Sequence, residues 1–152
     1  MLHLTALPRR KDSTMPRTAT PSIPTSVTDR LDGERVVWLT TVDQHGSPVP
    51  TPVWFLWSDG TVLMFSQPGT AKLRNIAGQP RVSLNLNSDT HGGQVAVFTA
   101  SAEADTAVDA AEWDRFVAKY DRDIESLGMT PESFRADYAV PIRFTPERFR
   151  GW

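Results

Sequence analysis

Short runs of alternating or β-branched hydrophobic residues dominate the middle of the chain, and this pattern predicts strands. Tight-turn sequences at residues 43–46 and 58–60 separate some of these runs, as in antiparallel hairpins. One run alternates strictly, with Val82, Leu84 and Leu86 on a single face. The predicted strands are residues 36–42, 49–57, 62–66, 81–87, 94–104 and 141–149.

A longer helical pattern follows the fifth predicted strand. Residues 108–127 carry apolar side chains at the i, i+3, i+4 spacing of an amphipathic helix. Its outer, solvent-facing side is then acidic, with Asp109, Glu112, Asp114, Asp121 and Asp123. Shorter helices are predicted from Thr25 or Ser26 to Leu31, over residues 70–77, and from Thr130 onward. Hydroxyl residues suit their first positions, and Thr70 is the predicted cap of the second.

Strands joined mostly by tight turns, with helices between them, predict a mainly β fold: a closed or partly closed antiparallel barrel. The predicted strands 49–57 and 62–66 are apolar on both faces. A lone barrel needs only one apolar face there, so a helix, a cofactor or another subunit must cover the second. We favour a homodimer with a cleft at the shared interface.

Residues 1–24 differ in composition from the rest of the chain and are predicted to form a disordered tail. They contain four prolines and four basic residues among serines and threonines, without hydrophobic periodicity. An arm that binds a phosphate or an acid is the alternative, and Met15 is an alternative start. Residues 25–152 then form one folded domain.

Composition excludes several classes of function. The formal net charge of -2 gives no general attraction to nucleic acid or to an anionic membrane. The absence of cysteine excludes disulfides, thiolate nucleophiles and iron–sulfur clusters. No apolar run has the length of a membrane span or the form of a secretion signal, so a cytoplasmic location is expected. The three histidines lack metal-ligand spacing, and no metal site is predicted.

No side chain is predicted to act as a catalytic group. The sequence contains no nucleophile elbow, no GxGxxG and no Walker motif. An enzyme with this sequence would therefore depend on a bound cofactor for the difficult chemistry.

The segment after the third predicted strand is the best candidate for a phosphate site. The strand ends at Ser66 and Gln67, a Pro-Gly pair turns the chain, and Thr70 begins a helix. A helix start presents unpaired N–H groups and a partial positive charge, to which Lys72 adds a full charge. Lys72 and Arg74 flank opposite edges of the buried side, so only one of them can meet a small phosphate. An ordinary surface helix with exposed cations explains the same spacing equally well.

A longer run decides between these interpretations: GSPVPTPVWFLWSDGTVLMFSQPGTAKLRNIAGQPRVSLNL. It resembles the flavin- and deazaflavin-binding split barrels related to pyridoxamine 5'-phosphate oxidase. The pieces PVWF, DG, K-x-R-N and PRVSL are similar to the coenzyme F420 (deazaflavin)-dependent reductase branch of that family, which occurs in actinobacteria. The resemblance covers residues 27–152, including the terminal RFTPERFRGW.

The resemblance implies a six-stranded split β-barrel of the FMN-binding type, a homodimer, and a cofactor in the cleft between the subunits. It implies that Pro52, Val53 and Trp54 lie along the flavin-like ring. The residues implied for the phosphoester and other anionic groups are Ser66, Gln67, Thr70, Lys72, Arg74 and Asn75. Trp152 either reaches the partner's cofactor pocket or serves as a hydrophobic latch for the last strand.

The activity implied by the resemblance is hydride transfer from reduced deazaflavin to an electron-poor C=C or C=N bond of a small conjugated substrate. Pyridoxamine-phosphate oxidases proper have an arginine-rich strand start and a Ser-Arg-Lys helix start, where this chain has Thr51-Pro52-Val53 and Thr70-Ala71-Lys72. The loss of these arginines argues against FMN. The polyglutamate tail of the deazaflavin would give Arg74 or the basic N-terminal arm a partner. An FMN-dependent oxidase or reductase and a non-enzymatic F420-binding protein are the alternatives. The candidate apolar walls of the cleft are Trp54, Phe55, Trp57 and Met64, although strand alternation prevents all four from facing it.

Overall fold

The structure is a computed structural model that describes residues 20–152. Most of the predicted tail, residues 1–19, lies outside the described residues. The strands of the described part are β1 (Val37–Val42), β2 (Pro48–Val53), β3 (Leu56–Ser58), β4 (Thr61–Ser66), β5 (Arg81–Asn85), β6 (Ala96–Ala104) and β7 (Val140–Gly151). Its helices are α1 (Thr25–Gly33), α2 (Ala71–Gly78), α3 (Ala110–Ser126) and α4 (Pro131–Asp137). None of these helices is long and apolar enough to cross a membrane.

All seven strands belong to one antiparallel sheet in the order β2-β1-β5-β6-β7-β4-β3. The two edge strands, β2 and β3, are neighbours in the chain, and only Trp54 and Phe55 separate them. Two residues span less than about 11 Å even when extended, so the sheet must curl until its ends meet. The prediction of a mainly β split barrel is confirmed.

The number of strands differs from the prediction because residues 49–57 do not form one strand. β2 pairs with β1, with Val53 opposite Val37, whereas β3 pairs with β4, with Leu56 opposite Leu63. A straight strand cannot pair with partners at opposite ends of a sheet, so the chain bends at Trp54 and Phe55. We call these two residues the bend.

The main hydrophobic core fills the barrel. Its largest fully buried side chains include Leu39, Phe55, Phe98 and Phe144 from the strands and bend. Leu31 of α1 is also fully buried in this core. The prediction of a hydroxyl cap for α1 is wrong, because Pro24 occupies the cap position.

A second hydrophobic cluster lies on the opposite face of β3 and β4. It joins these strands to α3 and α4 and contains Leu56, Leu63, Phe65, Phe116, Tyr120, Ile124 and Phe134. Helices of the same chain therefore cover the second apolar face of β3 and β4. The preference for a partner subunit as the cover of this face is wrong, and the helix alternative is correct.

The prediction that the acidic residues of α3 all face solvent is wrong for Glu112. Its side chain is buried, and its carboxylate accepts hydrogen bonds from Arg143 of β7 at 2.9 and 3.0 Å. The Arg143 guanidinium lowers the pKa of Glu112 to about 2. Glu112 also completes a capping box with Asp109, so one carboxylate both begins α3 and attaches it to the sheet.

Candidate functional site

A pocket of about 290 Å³ lies where the end of β2 meets β4, the first turn of α2, and the α3–α4 pair. We call it the ring pocket. Its lining residues are Pro52, Val53, Trp54, Met64, Phe65, Lys72, Phe116, Leu127, Phe134 and Tyr138. All are apolar or aromatic except Lys72 and the hydroxyl end of Tyr138. Its volume is just below the range of about 300–1,000 Å³ that is typical of ligand sites, which suits one planar ring system.

The bend places Trp54 in this pocket. Trp54 faces α3 and α4, where its ring stacks on Tyr120 at 4.9 Å between centroids and on Phe134 at 5.8 Å. The next residue, Phe55, faces the opposite way and is fully buried in the main core. The aromatic wall of the ring pocket is therefore fixed by packing on both sides of the chain.

Lys72 contributes the positive charge of the ring pocket. Within residues 20–152 its ammonium makes no hydrogen bond or ion pair. Burial lowers the pKa of Lys72 below its ordinary value. Because no described carboxylate offsets this desolvation, an anionic ligand would stabilise the charged form.

The first turn of α2 also has unused hydrogen-bond donors. Thr70 occupies the cap position of α2, as predicted, but its side chain makes no capping hydrogen bond, and its Oγ1 lies 3.0 Å from Ser66 Oγ instead. Ser66 Oγ donates to Gln67 O at 2.8 Å, so Thr70 donates to Ser66. The first backbone bond of α2 runs from Arg74 N–H to Thr70 O. In the described part of the chain, the N–H groups of residues 71–73 therefore have no acceptor.

Arg74 and Asn75 lie on the other side of α2 from the ring pocket. Both line a separate depression of about 540 Å³, together with Asp43 and His45. Arg74 donates to Gly69 O at 2.7 Å, and Asn75 donates to Thr41 Oγ1 at 3.0 Å. Lys72 and Arg74 thus face different depressions, as the helical geometry predicts.

Trp152 does not reach the ring pocket of its own chain. It lines a third groove, beside α1 and residues 94–95, and its residue is 71% exposed. Its backbone pairs with Val95 through bonds of 2.8 and 3.2 Å, and its indole N–H donates to Gly92 O. These bonds attach the end of β7 to the neighbouring loop.

Only two of the four residues predicted as apolar walls line the ring pocket, and other residues complete its lining. Trp54 and Met64 line the ring pocket, whereas Phe55 and Trp57 belong to the main core. Five lining residues were absent from the predicted site: Phe65, Phe116, Leu127, Phe134 and Tyr138. The apolar stripe of residues 108–127 indicated a buried face there, but not that it would border a pocket with Lys72.

The chain belongs to the pyridoxamine 5'-phosphate oxidase family, whose profile matches residues 23–152. The predicted family is confirmed. No curated protein sequence matches the chain.

Solved structures similar to this chain share its fold. An F420 reductase is 21% identical with a TM-score of 0.65, over 84% of this chain and 98% of that chain. A FAD-binding protein from Mesorhizobium loti is 19% identical with a TM-score of 0.59, over 82% and 87%. A heme storage protein from Vibrio cholerae is 20% identical with a TM-score of 0.56, over 82% and 90%. These likenesses establish the fold, and the named ligands differ among the three proteins.

Proposed function

We propose that this protein is a deazaflavin-dependent oxidoreductase. It binds coenzyme F420 and transfers a hydride from the reduced coenzyme to a small conjugated organic substrate. It works in the cytoplasm as a homodimer, with the cofactor in the cleft between subunits. The observation that carries this proposal is the ring pocket, where an ammonium group without a described partner lies among aromatic walls.

The residues at one end of the ring pocket fit an anionic group. Lys72 supplies a full charge, and the N–H groups of residues 71–73 supply donors beside it. Together they form the combination of helix start and cation that favours a phosphate. The hydrogen-bonded pair of Ser66 and Thr70 holds the preceding turn, and Gln67 lies exposed within that turn.

The residues at the other end fit a planar ring. Pro52, Val53 and Trp54 form one wall. Phe134 of α4 and Tyr138, which directly follows α4, also line the pocket. A bound reduced deazaflavin supplies a hydride from its C5 carbon. The chain's part is to hold ring and substrate in register and to exclude water from them.

The distribution of cations supports the deazaflavin rather than FMN. The phosphate monoester of FMN carries a charge near -2, whereas the phosphodiester of the deazaflavin carries a single charge. Lys72 is the one cation that lines the ring pocket among the described residues. Arg74 lies at the far edge of α2, where it suits a charge more distant from the ring.

Titration of the protein with coenzyme F420 and with FMN, followed by fluorescence, tests this proposal. We expect tighter binding of F420, and a loss of about tenfold in affinity for Lys72→Ala, since one charge-assisted contact is removed. Arg122→Ala, which removes an exposed cation of α3 outside the pocket, is the matched control and should bind normally.

Turnover separates the remaining alternatives. Oxidation of reduced F420 by quinones or enones in the presence of the protein is the expected result. Tight binding of F420 without turnover of any acceptor would indicate a coenzyme-binding protein instead of an enzyme. Preferential binding of FMN would indicate a flavin-dependent oxidase or reductase.

A further inference from the structure

The bend between β2 and β3 interrupts the sheet, and α3 supplies the hydrogen bonds that the sheet no longer provides. Phe55 N–H donates to the Tyr120 hydroxyl oxygen at 2.9 Å. Phe55 C=O lies 3.0 Å from the same hydroxyl and 3.0 Å from the Lys119 ammonium. Two adjacent side chains of one helix thus satisfy both backbone groups of Phe55, which are buried and must be paired.

Tyr120 is well suited to this task. It is fully buried, and its hydroxyl also lies 2.8 Å from Arg35 O, so it accepts one bond and donates toward two carbonyl groups. Burial raises the pKa of Tyr120 to about 12. The hydroxyl therefore keeps its proton and remains a donor throughout the neutral range.

Lys119 reinforces the same contact. Besides its bond to Phe55 O, its ammonium lies 3.9 Å from the centroid of the Phe55 ring and 3.4 Å from Leu31 O. It forms no ion pair within residues 20–152. Its charge is therefore held by carbonyl oxygens and an aromatic face at the bend.

Trp54 connects these contacts to the ring pocket. Its ring lies parallel to the Tyr120 ring, with 4.9 Å between centroids and 7° between planes. Trp54 lines the pocket, whereas Tyr120 and Lys119 do not. Tyr120 thus holds Trp54 twice: through the backbone of the next residue and through the stacked ring.

We propose that Tyr120 and Lys119 are positioning residues that hold the bend so that Trp54 is preset against a planar ligand ring. The two residues act from outside the pocket, and their effect on a ligand passes through Trp54. The inference rests on the proposed function for the nature of that ligand. A wall fixed before binding raises affinity, because no ordering cost remains at that position.

The test is a double-mutant cycle on affinity for coenzyme F420, with FMN as a second probe. We expect Tyr120→Phe, which keeps the ring and removes the hydroxyl, to lower affinity about tenfold. In a Trp54→Leu background the same substitution should change affinity by less than about twofold. Equal effects in both backgrounds, or no effect in the wild type, would overturn the proposal.

Two further variants make the result specific. Lys119→Met should weaken binding in the same direction, and it replaces Tyr120→Phe in the cycle if that variant does not fold. Ser58→Ala is the matched control: it removes a buried hydroxyl that accepts a hydrogen bond from Arg115 of α3, outside the ring pocket. Ser58→Ala should leave affinity unchanged, and a loss equal to that of Tyr120→Phe would argue against the proposal.

A spectroscopic readout separates this inference from the proposed function. The chain has five tryptophans. The difference in tryptophan fluorescence between the wild type and Trp54→Leu gives the contribution of Trp54. Tyr120→Phe should increase the accessibility of Trp54 to acrylamide without changing the overall fold. If the wild type binds neither F420 nor FMN, the proposed function fails, and unaltered quenching of Trp54 would then refute the positioning role as well.

Discussion

Glu112 and Lys72 show how differently two charges can be held away from bulk water. Glu112 is buried against Arg143 in a two-bond ion pair, and both charges are satisfied inside the fold. Lys72 is half-buried and has no such partner within residues 20–152. We therefore expect loss of Glu112 to reduce stability and loss of Lys72 to reduce binding.

Glu112→Gln should lower the free energy of unfolding at neutral pH by about 3 kcal/mol, because it leaves the Arg143 charge without its partner. The pKa of Glu112 is lowered to about 2 in the fold from 4.5. The stabilisation is complete above pH 4.5 and is lost as the pH falls toward 2. Urea unfolding between pH 7 and pH 3 should therefore show the wild type approaching the variant in stability.

The exposed Glu125 of α3 provides the control for this series. Glu125→Gln should differ from the wild type by less than about 0.5 kcal/mol at every pH. A Glu112→Gln difference that stays constant as the pH falls would contradict the ion-pair account.

Arg74→Glu tests the anion at the far edge of α2. We expect affinity for polyglutamylated F420 to fall about threefold to tenfold, because a surface attraction becomes a repulsion. Affinity for a coenzyme without the polyglutamate tail should stay unchanged, and the loss should shrink at high salt. Equal affinity of variant and wild type for the polyglutamylated form would remove Arg74 from the site.

At the scale of elements, the sequence predicted the strands and turns that depend only on neighbouring residues. Alternation at residues 81–87 located β5, and the turns at 43–46 and 58–60 contain Gly46 and Gly60 with φ of 79° and 77°. The bend could not be predicted, because residues 53–57 form an unbroken run of apolar side chains that reads as one strand. Its cause lies in the pairing of β2 and β3 with opposite ends of the sheet.

The candidate site likewise has one part that could be predicted from local sequence and one part that could not. Lys72 and the start of α2 could be located from a strand, a turn and a helix signal that are adjacent in sequence. Phe134 and Tyr138 could not, because they reach the pocket only through packing of α4 against α3 and the sheet. The burial of Glu112 likewise depends on Arg143, 31 residues away.

Edge strand β2 has prolines at three alternate positions, Pro48, Pro50 and Pro52. Alternate residues of a strand direct their N–H groups to the same side. Since β2 bonds to β1 on one side, the prolines remove the donors from its open side, and this blocks pairing with another sheet.

Pro50→Thr should therefore increase self-association through the β2 edge, because it restores one backbone donor there. Light scattering at rising protein concentration measures this effect. Thr51→Val, which leaves the backbone donors of β2 as they are, is the control. Identical scattering by both variants would show that the prolines do not protect this edge.

We expect the whole molecule to be a dimer. The second apolar face of β3 and β4 is not a reason for this, because α3 and α4 cover that face. Sedimentation should give about twice the chain mass of 16.9 kDa. The side chain of Trp152 is one exposed feature that a partner could use.

Trp152→Ala distinguishes the two interpretations of that residue. If Trp152 reaches the partner's cofactor pocket, Trp152→Ala should lower affinity for F420 about tenfold while the melting temperature stays within about 2 °C. A lower melting temperature with unchanged affinity would instead identify Trp152 as a latch for β7.

The bend also bears on how this fold could acquire new ligands. Trp54 lies between β2 and β3 and takes no part in the backbone pairing of either strand. A change of its side chain therefore leaves the hydrogen bonds of the sheet in place. Its neighbour Phe55 and the helix residues that bond to Phe55 keep the barrel closed meanwhile. A substitution at position 54 could thus alter the ring pocket while the barrel stays closed, and such changes are one way in which a single scaffold comes to serve several chemistries.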